Sequence, residues 1–136
     1  MIVRTADELE LSDSWVEGDD SARWRSGAAL TPSAGSRDSG AVLLEIEPGC
    51  RLERHRDSAE EMVVVLDGEA QVSVGEEGAR LPEGGLALIP ADVPHEVRNT
   101  GPATLRFVAV YASAEVVTRY ERDVRPDGSR KRDPLG

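Results

Sequence analysis

From Ala41 onward the chain alternates apolar and polar residues with a period of two, the mark of strands that bury one face. AVLLEIEPG sets Val42, Leu44 and Ile46 on one side and stops at Pro48-Gly49. MVVVLDG is nearly all apolar and ends at Asp67-Gly68, a hairpin signal. AQVSV groups Ala70, Val72 and Val74, and Gly75 to Gly78 reads as a second hairpin turn. GLALIP predicts a strand, ADVP a turn, and HEVRN another short strand. TLRFVAVYA, with Leu105, Phe107 and Ala109 on one face, is the last clear strand. Earlier in the chain, Met1–Val3 reads as an edge strand, Gly18-Asp19-Asp20 as a turn and Ala22–Leu30 as a strand. Thr31–Gly40 is a loop by composition. SAEVVTRYERDV fits a strand or one helical turn, and RPDGSRKRDPLG reads as a loose polar tail. About eight short strands, with turns every 8–12 residues, predict an all-β barrel or sandwich. The chain divides into an N-terminal strand and loop segment (1–40), a barrel (41–120) and the tail (121–136).

At 136 residues the chain fits one domain. Its core is aliphatic, since aromatic residues make up 4%. The net charge of −10 opposes both nucleic acid, which needs a basic face, and anionic membranes. Cys50 is the lone cysteine, so no intrachain disulfide forms and a reducing compartment is the default. Nothing in MIVRTADELELSD resembles a signal peptide, and no apolar run approaches the ~20 residues of a membrane helix. These features predict a soluble, cytoplasmic protein.

Candidate chemistry gathers around the two histidines, His55 and His95. In an extended chain His55 and Asp57 point the same way. Glu61 is in phase with Val63 and Val65, and His95 with Val97. If Glu61 faces the barrel interior, its carboxylate ends an apolar row and needs a partner. Two imidazoles and one or two carboxylates meeting in an aliphatic barrel fit a divalent metal site. A surface or core histidine without metal is the plainer alternative. Glu60 is out of phase and faces solvent. Val63, Val65, Val97 and Phe107, together with Leu86 and Leu88, would line an apolar pocket suited to a small organic molecule. Trp15 and Trp24 read as packing residues, with Trp24 a candidate for the pocket wall.

The spacings carry further information. The first segment is G-x5-H-x-D-x3-E-x6-G from Gly49 to Gly68, and the second is G-x5-P-x-D-x2-H-x3-N from Gly84 to Asn99. Together they resemble the two signature motifs of the cupin superfamily, G-x5-H-x-H-x3-4-E-x6-G and G-x5-P-x-G-x2-H-x3-N. The resemblance covers roughly residues 40–112. It implies a double-stranded β-helix, the jelly-roll cupin barrel, with metal ligands at His55, Glu61 and His95 and with Asp57, a candidate fourth ligand, at a further ligand position. Two positions depart from the family pattern. Asp92 replaces a glycine in a turn where Asp tolerates a positive φ. Asp57 replaces the second histidine. It is read as a fourth ligand, as a neighbour that leaves His55, Glu61 and His95 as a triad, or as a loop cap.

A set of two histidines and two carboxylates favours Fe2+ or Mn2+, with Zn2+ or Ni2+ as alternatives. The function expected first is a metal-dependent, dioxygenase-like oxygenase acting on a small, partly apolar molecule. The alternatives are a non-oxidative isomerase, cyclase, lyase or decarboxylase, or a small-molecule-binding cupin without turnover. The family resemblance also implies a homodimer, with exposed edge strands covered by the partner.

Overall fold

A computed structural model describes residues 1–136, and nearly all of its regular structure is strand. In chain order the strands are β1 (Ser12–Val16), β2 (Asp19–Leu30), β3 (Gly40–Ile46), β4 (Arg51–Asp57), β5 (Glu61–Asp67) and β6 (Ala70–Val74). They continue with β7 (Glu77–Leu81), β8 (Leu86–Ile89), β9 (His95–Arg98), β10 (Leu105–Tyr111), β11 (Thr118–Val124) and β12 (Ser129–Arg132). Two single 3-10 turns, Ala6–Glu8 and Pro32–Ala34, are the only helical pieces. No helix is long and apolar enough to cross a membrane.

The strands run in the order β7-β6-β9-β4-β2-β3-β10-β5-β8, with β1 on β2 and the β11–β12 pair on β4. This ribbon curls into a nearly closed all-β barrel, the jelly-roll expected from the sequence. The long strand β2 joins its halves, pairing antiparallel with β3 and, at Ala22, parallel with β4. Alternation decides what lies inside. Phe107, Ala109, Val63, Val65, Val72 and Val97 are each 2% exposed or less, while their strand neighbours face out or lie half-buried.

Several expectations change. Asp67-Gly68 does not close a hairpin, because β5 pairs with β10 and β8 whereas β6 pairs with β7 and β9. The chain instead crosses between the halves there. Gly68 has φ 81, and a Cβ on it would lie 3.0 Å from the Thr104 carbonyl oxygen, so the crossing needs glycine. Leu86 and Leu88 face outward, 69% and 60% exposed, while Ile89 is buried. Both faces of LALI are apolar, so its pattern could not orient it. The pairing Glu61↔Ile89 does, by placing Ile89 beside an interior residue.

Met1–Val3 forms no strand and is exposed. The ambiguous stretch after Ser113 becomes β11, and the tail is not loose. Its residues form β12 on β11, and Leu135 is 3% exposed. Leu135 occupies space that Gly40 leaves free, since a Cβ on Gly40 would lie 2.3 Å from a Leu135 methyl.

Candidate metal centre

His55 and Asp57 lie on β4, Glu61 begins β5 and His95 begins β9. A bulge sets the orientation of β4. Leu52 pairs with Val97 and His55 with His95, so β4 spends one more residue than β9 over that span. Leu52 and His55 thus both face inward although they are three residues apart. The bulge also tucks Glu53 in at 3% exposure, where Arg122 meets its carboxylate at 3.1 Å and Arg51 lies at 3.8 Å. Asn99, 1% exposed, ties the end of the second motif down by donating to the Ile46 and Ala103 carbonyls. Asp92 has φ 63, the left-handed conformation expected where the family has glycine.

The four residues named from the sequence come together at the barrel floor, each 4% exposed or less. Asp57 Oδ2 lies 3.5 Å from His55 Nε2 and 3.3 Å from His95 Nε2. Glu61 Oε1 lies 3.1 Å from His95 Nε2. Each imidazole is oriented by its other nitrogen: His55 Nδ1 donates to the Glu53 carbonyl at 2.7 Å, and His95 Nδ1 to the Val93 carbonyl at 2.9 Å. Those bonds turn both Nε2 atoms toward the same point. The Thr118 hydroxyl donates to Asp57 Oδ1 at 2.5 Å and leaves Oδ2 facing that point.

Asp57 Oδ2 and His95 Nε2 are buried without a hydrogen-bond partner. Orphaned polar atoms at such depth are rare and need an explanation. One ligand atom each from His55, Asp57 and His95 lies within 4.8 Å of the others, so the cluster could hold a metal ion. Glu61 stands next to it as a fourth donor. The donor chemistry fits a divalent ion, because oriented imidazoles and carboxylates are its usual protein ligands.

Without an ion the site stores charge. Burial alone would lower the pKa of His95, but the carboxylates of Asp57 and Glu61, 3.3 and 3.1 Å from Nε2, reverse this and raise it to about 10. Burial pushes Asp57 up, and the facing imidazoles of His55 and His95, with the Thr118 hydroxyl on Oδ1, outweigh that and hold it well below the usual carboxylate range.

Above the floor is a cavity of about 300 Å3. Trp24, Phe107, Tyr111 and Tyr120 supply aromatic walls. The Tyr120 ring lies 5.4 Å from the His55 ring and 5.6 Å from that of Trp24. Burial is the main reason both phenols are raised above their ordinary value, helped at Tyr111 by Glu61 and opposed at Tyr120 by Arg132. Residues from the N-terminal and C-terminal segments also line the cavity: Glu10 and Ser12, with Arg132, Asp133 and Pro134. Trp24 is therefore a wall residue, while Trp15 is half-buried beneath the Arg23 guanidinium. Sequence reasoning missed the tyrosines. Tyr111 was legible, being in phase with Phe107 and Ala109, but Tyr120 lay in a stretch of undecided structure.

A family model for the cupin domain matches residues 42–111, over half of the chain, and the chain belongs to that family. It is 36% identical over 83 residues to Protein SchB of Streptomyces halstedii, and the match spans 60% of each chain. Among solved structures, the oxalate decarboxylase of Lactobacillus farciminis superposes with a TM-score of 0.71 at 19% identity. That match covers 85% of this chain and 34% of the other. The polyketide cyclase RemF of Streptomyces resistomycificus gives 0.70 at 17% identity, covering 89% and 86%. These two structures share the fold.

Proposed function

We propose that the chain is a metal-dependent enzyme that moves protons on a small, partly aromatic, carbonyl-bearing molecule without consuming O2. The observation that carries this reading is the pair of orphaned atoms, Asp57 Oδ2 and His95 Nε2, at the floor of an aromatic-walled cavity. His55, Asp57 and His95 would hold the ion, with Glu61 as a fourth donor. When bound, the ion supplies Lewis acidity at an oxygen of the ligand molecule. The chain's residues do the rest. The Glu53 and Val93 carbonyls fix the imidazoles, and Thr118 fixes Asp57. Trp24 and Phe107 offer flat walls and exclude water. Tyr111 and Tyr120 stay protonated and can donate to developing negative charge.

The phenols favour a non-oxidative reaction such as cyclisation or isomerisation. Beyond the candidate ligands, the cavity wall carries these two protonated phenols as proton donors. Similarity in fold and size to a polyketide cyclase supports this reading. The oxygenase expected first from the sequence stays as the second reading. It is favoured by a donor set of two imidazoles and a carboxylate, which leaves positions open.

The test is turnover of small β-dicarbonyl and hydroxyaromatic compounds by Zn2+-loaded and Fe2+-loaded protein, in air and under strict anaerobiosis. Anaerobic turnover with Zn2+ that falls at least tenfold in Tyr111→Phe, at unchanged metal content, supports the proposal. Turnover that requires iron and consumes O2 in step with product would replace it with the oxygenase.

A further inference from the structure

Among the residues that line the cavity, Arg132 is the one lysine or arginine. It lies on β12, the strand that the polar C-terminal stretch adds to β11. Three contacts fix its guanidinium. Nη1 donates to the Ser14 hydroxyl at 2.8 Å, and Nη2 donates to the Arg125 carbonyl at 3.2 Å and to Asp127 Oδ1 at 3.0 Å. The guanidinium also stands over the Tyr120 ring, 5.7 Å from its centroid. Tyr120 in turn lies against the Trp24 and His55 rings. The fixed cation therefore belongs to the same aromatic wall that leads to the metal centre.

A guanidinium carries five N–H donors and no acceptor. The bonds to Ser14, Arg125 and Asp127 leave the Nε–H and one Nη1–H without an acceptor in the protein. With 21% of its side chain exposed, the group is partly stripped of water. A partly desolvated cation with unspent donors favours an anionic oxygen over a neutral one. Two carboxylates outside the metal centre, Glu10 and Asp133, also line the cavity. Both residues are exposed, and Asp133 spends Oδ1 on the Leu135 amide. Carboxylates in contact with water are screened and weaken the pull of the guanidinium only modestly. The floor adds no net repulsion, because Asp57 and Glu61 would offset the charge of a divalent ion.

We infer that Arg132 is a specificity-determining residue that binds a carboxylate on the ligand molecule, so that the site takes aromatic keto acids in preference to neutral aromatic ketones. Such a molecule would lie along Trp24 and Tyr120, with its carboxylate at Arg132 and its carbonyl oxygen toward the ion. Only the placing of the carbonyl rests on the function proposed above; recognition of the carboxylate is a binding property and does not depend on turnover. Anchoring both ends fixes the orientation of the ring between the phenols and the metal centre, as proton transfer at a defined atom requires.

Isothermal calorimetry on the Zn2+-loaded full chain would test this, with 4-acetylbenzoate and its neutral counterpart 4-acetylbenzamide as probes. The wild type should bind the acid about tenfold or more tighter than the amide. Arg132→Gln should weaken the acid by that factor and leave the amide affinity and the Zn2+ content unchanged. Ser14→Ala, which removes one contact to the guanidinium but keeps its charge, should retain a preference for the acid. No preference for the acid in the wild type would overturn the inference, whether or not the Arg132 variant folds. A preference that survives in Arg132→Gln would overturn it by assigning the carboxylate to the ion. An equal loss of both probes in that variant would overturn it by reducing Arg132 to a support for the wall. Binding with the expected preference but no turnover of such compounds would count against the proposed function and leave the role of Arg132 standing.

Discussion

Metal binding at this centre should release one proton, and the proton should come from His95. In the metal-free protein its pKa is raised to about 10 by Asp57 and Glu61. At pH 7, then, about one molecule in a thousand carries the neutral imidazole that an ion needs. Relative to a site already deprotonated, the apparent affinity is weakened by three pH units of competition, about 4 kcal/mol. Asp57 releases no proton, because it is already ionised. Two measurements check this. Calorimetric titration with Zn2+ at pH 7.5, in buffers of different ionisation enthalpy, should give close to one proton released per ion. Competition with a chelator should show affinity tightening about tenfold per pH unit between pH 6.5 and 8.5. Asp57→Asn should lower both the affinity and the proton release, since it removes an anionic donor and one of the carboxylates that hold the proton. An affinity flat across this range, or release near zero, would refute the reasoning.

The same shifts set the stability of the metal-free protein. The raised His95 contributes fully below its unfolded value near 6.5 and is lost as pH rises through about 10; the depressed Asp57 contributes above 3.8 and is lost in acid. Thermal melts without metal should therefore be highest between about pH 4 and 6.5, and the gain in Tm from added Zn2+ should widen with pH above that window. Arg122→Ala strands the buried Glu53 with only the more distant Arg51. It should destabilise by about 2–4 kcal/mol in urea, with much of the loss recovered in Arg122→Ala/Glu53→Gln. At Asp92, φ 63 predicts that glycine is tolerated with little change in Tm, whereas valine costs about 1–2 kcal/mol.

What could be read from the sequence follows from how much of it is periodic. Strands such as β3, β5 and β10 have apolar residues that alternate or fill the strand, and their faces could be assigned. The four candidate ligands could be named because motif spacing tied them to β4 and to the starts of β5 and β9. β8 is apolar on both faces, so only its partner β5 orients it. Asp67-Gly68 has hairpin chemistry, yet the crossing it makes is dictated by distant pairing with β10. The tail is polar almost throughout. Its last apolar anchor, Leu135, acquires meaning only because Gly40, far away in sequence, lacks a side chain.

The lining of the cavity by residues from both terminal segments has a kinetic consequence. Arg132, which lines the cavity, donates to the Ser14 hydroxyl 118 positions away in sequence, while the metal-facing residues of β4 and β9 lie on strands paired inside the barrel. Terminal segments with few buried contacts open locally at a lower free energy than core strands. The Asp133–Leu135 segment should undock far more often than the barrel unfolds, exposing the cavity while the ligands stay in place. Entry to the site is then a local unfolding event. Amide exchange near Leu135 should run ahead of exchange in β4, and any molecule bound against this segment should slow the first without changing the second.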